Sequence, residues 1–253
     1  MGVTAALSII LFSLMALIGG LKGIGAFISL WLNVAVLFIM ITLISLSFNV
    51  YAVLLIGASI LLTITVVSTG GDEDTTSLAL LTSFVVMLCL LVLIVPMGKE
   101  AMAFGFAVES SEALEGLSLG IRIPFLQLGN AAALLATLGA VAEAAVAMAT
   151  GLMALHRHGQ TLTNQGLIAA ALDLGRQIIG TAVNTVLFGF LADFLALGIL
   201  FMKLHYSLAD IINAKLFTST VLSLLYAILG VVLVLPVTVL GYKFHERSSK
   251  STK

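Results

Sequence analysis

The 253-residue chain is 61% hydrophobic and only 9% charged, with 11 Lys and Arg against 12 Asp and Glu and a formal net charge of −1. A soluble domain carries roughly 25% charged residues to keep its surface solvated. A soluble enzyme, a nucleic-acid binder and a secreted disulfide scaffold are therefore excluded, and the mean hydropathy of +1.23 agrees. The chain reads as an integral membrane protein whose main partner is the lipid bilayer, with no nucleic acid and no cofactor implied.

A transmembrane helix needs about 20 apolar residues to cross a core about 30 Å thick. The first charge is Lys22, so residues 3–21 make one span. This segment lacks a basic leading region and a cleavage site, so it reads as a retained helix, not a signal peptide. Residues 23–71 carry no charge at all, and as one helix they would be about 73 Å long. They must fold into two spans, 24–45 and 49–69, with the polar break Ser45–Asn49 between them. A fourth span, 75–96, opens after Asp72, Glu73 and Asp74, where acidic residues suit a helix N-terminus and Asp74 or Thr75 can cap. It is expected to end at Pro96. The lone cysteine, Cys89, lies in this span and is read as a small buried apolar side chain.

Residues 98–122 form a polar connection, in which Glu109, Glu112 and Glu115 fit one solvated helix face. The fifth span is 123–155. A second polar connection, 156–176, contains His156, Arg157 and His158 and an expected amphipathic helix over 163–174. Spans 177–202 and 216–242 follow, then a basic tail, 243–253. No β-barrel alternation is present, so the expected fold is all-α: a polytopic helical bundle of about seven transmembrane helices. With seven spans, seven basic residues fall on the C-terminal side and four on the other. The positive-inside rule then puts the C-terminus in the cytoplasm and the N-terminus outside.

An ionisable side chain inside lipid is costly and marks function by default. Glu143 and Asp193 are the two carboxylates deep in the spans. Glu143 sits mid-helix in a segment where ten of the twenty residues 131–150 are alanine. Such small side chains permit close helix packing, so this helix is expected at the bundle centre with Glu143 desolvated there. Proton exchange or cation binding would follow, or else a neutral carboxyl that bonds neighbouring helices. Gln177, Thr181, Asn184 and Thr185 recur at helical spacing and make one polar stripe, a wall for a wet path or simply helix cement. Asp193 falls about 180° from Asn184 and off that stripe. Asn130 either caps the fifth span or faces the same interior. No zinc-ligand spacing, phosphate-binding glycine loop or nucleophile elbow occurs.

Several stretches together resemble the YibE/F family of bacterial multi-pass membrane proteins. They are Glu115-Gly-Leu-Ser-Leu119, the run Gly139–Ala149 around Glu143, Gly175–Thr185 followed by Phe188-Gly-Phe190, Asp210-Ile-Ile-Asn213 and Gly230–Pro236. The turn Gly19–Gly23 is similar to the shorter, YibF-type members. The resemblance implies a bacterial plasma-membrane protein with a longer YibE-type membrane partner. Similar longer members tend to carry Asp at the position of Glu143, similar sequences often have Lys at Arg176, and Asp193 stands where a small residue is expected.

Two functions are consistent with these features. One is a permease or transporter subunit, proton- or cation-coupled through Glu143, with Gln177, Thr181, Asn184 and Thr185 along the path and Asn130 and Asp193 as secondary positions. The alternative is a non-transporting scaffold or assembly factor for the YibE-type partner. An intramembrane enzyme would need Glu143 and Asp193 in one site.

Overall fold

The computed structural model describes residues 2–69, 71–103, 124–157 and 164–251. Seven helices account for nearly all of them: α1 Val3–Ser45, α2 Val50–Ser68, α3 Glu73–Ala101, α4 Phe125–Arg157, α5 Asn164–Lys203, α6 Leu208–Asn213 and α7 Lys215–Ser251. All but the short α6 are long and apolar enough to cross a membrane. The fold is an all-α polytopic bundle. The expected helix face at Glu109, Glu112 and Glu115, and His158, lie outside the described residues.

The 43 residues of α1 are not one rod. Gly20 leaves helical geometry at φ 55°, ψ −135°, a region that a Cβ disfavours, and there the chain turns back on itself. Three residues later, a side chain on Gly23 would overlap the Met15 carbonyl oxygen, although eight residues of straight helix would separate the two by about 12 Å. Phe12 and Phe27 meet edge-on across the hairpin. The arms 3–19 and 21–45 are about 25 and 37 Å long. Each suffices for a hydrocarbon core about 30 Å thick once anchored at its ends.

Asn49 starts α2 by accepting hydrogen bonds from the amides of Tyr51 and Ala52 at 3.0 and 3.2 Å, satisfying donors that a helix start leaves free. The N-cap of α3 is Asp72, earlier than Asp74 or Thr75, with Glu73 and Asp74 in the first turn. That helix does not stop at Pro96 but runs through it to Ala101. Proline removes one backbone donor and clashes with the carbonyl a turn earlier; at an exposed position near a helix end this bends the helix without breaking it. Cys89 is exposed, not buried, because it lies on the outward face of α3 opposite Leu90 and Met87. Among the described residues, the amphipathic helix expected over 163–174 is present from Asn164 but is not separate from the sixth span. The chain from Asn164 continues straight into the sixth span as the 40-residue α5, since no proline interrupts it and Gly175 fits against Leu235 of α7.

Helix α4 is the central element and packs against α2, α3, α5 and α7. In lipid, packing and not the hydrophobic effect holds helices together, and small residues allow it. Ala133, Ala142, Ala144, Ala145 and Ala149 are all buried on α4. At Gly230 of α7 an added Cβ would press on Val141 of α4 and Leu90 of α3, so three helices converge there. The α1 hairpin packs on α2 at the edge of the bundle.

Candidate functional site

The alanine-rich helix is central, yet Glu143 on it is exposed. The expectation of a desolvated carboxyl at the bundle centre is thus corrected, and the reason lies in the directions taken by its neighbours. Gly151 of α4 faces Leu174 of α5, and Val141 faces Gly230 of α7. Gly139 and Ala142 face a groove walled by the second arm of α1 and by α2. At about 100° per residue, Glu143 points about 80° away from the α5 contact and about 160° from the α7 contact. It therefore emerges between α5 and the α1/α2 pair, where none of the described helices covers α4.

The gap is a cleft open sideways along the bundle. Its floor is the exposed line Ala132, Ala136, Gly139, Glu143 and Thr150, which repeats at helical spacing. Small residues keep the floor low, and nothing lies within 4 Å of where a Cβ on Gly139 would be.

One wall is the polar stripe of α5. Leu174 points at α4, while Gly175 turns to α7. Thr181 follows Leu174 by two turns and keeps its direction to within about 20°. Gln177 and Asn184 turn further away from α7, onto the side where Glu143 emerges, and Thr185 stays near Thr181. All four are exposed. Helices α4 and α5 run antiparallel from the Gly151–Leu174 contact, so Glu143, eight residues back, stands level with residue 182. Glu143 and Thr181 thus share one cleft and one height. The Thr181 hydroxyl donates to the carbonyls of Gln177 and Ile178, and Thr185 donates to that of Thr181. Their oxygens keep free lone pairs, so this wall offers acceptors, with the Asn184 and Gln177 amides as its donors.

The opposite wall holds two residues that the sequence reading missed. Asn33 donates from Nδ2 to the Thr65 hydroxyl at 3.1 Å, and its Oδ1 is buried without a partner. Both line the groove beside Gly139, with Leu30, Leu61 and Leu135 among the apolar remainder. The available signal was Asn33 itself, an amide set in an otherwise apolar run. It carried no charge, and the count of ionisable groups passed over it.

The remaining candidates lie elsewhere. Asp193 is exposed on the opposite side of α5 and about 15 Å further along it, so the structure does not bring it to Glu143. Asn130 is no cap: α4 begins at Phe125, and Asn130 is buried, donating from Nδ2 to the Tyr51 hydroxyl at 3.0 Å. Arg176 is paired with Asp173 at 3.6 Å on an exposed face, an arrangement worth little in water. Among the described residues no group of three His, Cys, Asp or Glu is placed to hold a metal ion.

No curated protein and no solved structure matches this chain. The sequence model of the family described as YibE/F-like protein matches residues 7–246, nearly the whole bundle including both walls and the floor of the cleft, and the chain belongs to that family.

Proposed function

We propose that the chain is a membrane permease subunit in which Glu143 exchanges a proton or binds a cation, while Asn184 and Thr181 line the path. One observation carries this reading: a mid-span carboxylate projects into an open cleft, level with a polar stripe on the facing helix. A carboxylate at that depth is expensive unless it is used or covered. The acceptor oxygens of Thr181 and Thr185 suit a positively charged species. The basic residues, seven on the C-terminal side against four, support a cytoplasmic C-terminus, and the family resemblance supports the bacterial plasma membrane.

The test is proton flux into liposomes that hold the purified protein and an internal pH dye, driven by imposed Na⁺, K⁺ or Mg²⁺ gradients. Wild type is expected to exceed empty liposomes, and Glu143→Gln to fall to their level while still inserting in equal amount. Equal flux in wild type and Glu143→Gln sinks the mechanism.

A second reading, scaffold for a YibE-type partner, is favoured by the exposure of Glu143, Asn184 and Asp193 on the outer surface, where another chain would shield them from lipid. It expects Glu143→Gln to lower co-purification with that partner. Unchanged recovery alongside lost flux counts against it.

A further inference from the structure

The groove beside Glu143 has a chemistry of its own. It measures about 320 Å³, lies between the second arm of α1, α2 and α4, and is open along one side. Six leucines and Val34 form most of its wall, with Gly139 and Ala142 on the α4 side, and Asn33 and Thr65 are its polar side chains. The Asn33–Thr65 bond uses the amide hydrogen-bond donor and leaves the Asn33 Oδ1 acceptor buried and unmatched.

Glu143 supplies the charge. It lies one turn below Gly139, and a helical side chain leans back over the preceding turn. Its carboxylate can therefore reach the open space above Gly139, which is itself part of the groove wall. No Lys or Arg lines the groove. An acyl chain alone would leave the Glu143 carboxylate unmatched, and an anionic amphiphile would oppose it.

We propose that this groove binds a membrane-partitioned organic cation: an apolar body seated among Leu30, Leu61 and Leu135, with a protonated nitrogen held by the Glu143 carboxylate at the groove's edge beside Gly139. The volume suits a compact amphiphile, and entry is from the lipid, through the side of the bundle. This deepens the permease reading and rests on the same cleft, but binding can be measured apart from transport.

The test is calorimetry on the whole chain in zwitterionic lipid nanodiscs, with empty nanodiscs as baseline. The probe is 4-phenylbutylammonium, and its neutral alcohol and its carboxylate analogue are the comparisons. Saturable binding of the ammonium at one site per chain is expected, with both analogues weaker by about ten-fold or more, the scale of a hydrogen bond to a charged group. Glu143→Gln should weaken the ammonium by a similar factor. Gly139→Leu should abolish binding by filling the groove, whereas Ala132→Leu, on the same face two turns away, should leave it intact. Unfolding temperatures of each variant separate lost binding from lost fold. Alcohol binding equal to ammonium would make the groove an acyl slot and overturn the proposal, as would wild-type affinity in Glu143→Gln. Glu143-dependent proton flux with no ammonium binding would overturn this inference alone. Ammonium binding with no flux would uphold it and remove the permease reading.

Discussion

Phe12 and Phe27 stand with ring centroids 5.0 Å apart, at an interplanar angle of 62°. Fifteen residues separate them, a distance of about 22 Å along a straight helix. The contact exists because Gly20 reverses the chain and Gly23 lets the arms touch at backbone distance. With Cys89 replaced by Ala, cysteines at positions 12 and 27 should be joined in high yield by a thiol reagent of about 10 Å reach, a span that straight-helix geometry does not allow. Adding Gly23→Leu should cut that yield several-fold, because its side chain meets the Met15 carbonyl. Equal yield in both proteins would show that the close approach is not what holds the hairpin.

Charge and hydropathy made the class and most of the spans legible, because a bilayer imposes length on every crossing. The hairpin turn was read from Lys22, and its cause, the backbone conformation of Gly20, has no hydropathy signature. The amphipathic helix over 163–174 was legible, but its continuity with the sixth span was missed because the polar residues up to Arg176 mark a membrane edge without ending a helix. At the site, sequence identified Glu143 and the stripe of α5 but misjudged where the carboxyl points. A 3.6-residue repeat shows which residues share a face. It does not show which face neighbours cover, and on α4 four neighbours leave one strip free. Asn33 and Thr65 are thirty-two residues apart, and that pairing is set by how α1 and α2 dock.

Asp210 offers a pH-dependent feature outside the spans. Its Oδ2 accepts the Ser207 hydroxyl at 2.6 Å and the Ser207 amide at 3.0 Å, and its own amide donates back to Ser207 Oγ at 3.3 Å. This reciprocal cap holds the carboxyl below its ordinary value of 3.8, chiefly through the Ser207 hydroxyl and then through the backbone bond. A depressed carboxyl stabilises the fold above its unfolded value and loses that contribution as pH falls through its folded value. Protection of the amides of residues 208–213, corrected for the intrinsic pH dependence of exchange, should therefore hold at neutral pH and fall only below about pH 4. Ser207→Ala should return the Asp210 carboxyl towards 3.8 in a ¹³C titration and quicken exchange at every pH. An unchanged titration midpoint would show that the cap does not set it.

Asn130 is 1% exposed, and its hydrogen bond to Tyr51 leaves Oδ1 without a partner. Removing the Tyr51 hydroxyl would orphan the amide donor as well. A buried polar group stripped of its partner costs about 1–3 kcal/mol, whereas replacing both members by apolar groups of similar shape is nearly neutral. Interhelical hydrogen bonds in membranes average about 0.6 kcal/mol, so the bond itself is a small part of that loss. Tyr51→Phe should thus destabilise the detergent-solubilised protein by about 1–2 kcal/mol in equilibrium unfolding. The double variant Tyr51→Phe with Asn130→Leu should recover most of it. Additive losses in the double variant would mean that Asn130 is held by the surrounding helices independently of Tyr51. Recovery would show that burial without a partner, and not the strength of one bond, makes this pair matter to the junction of α2 and α4.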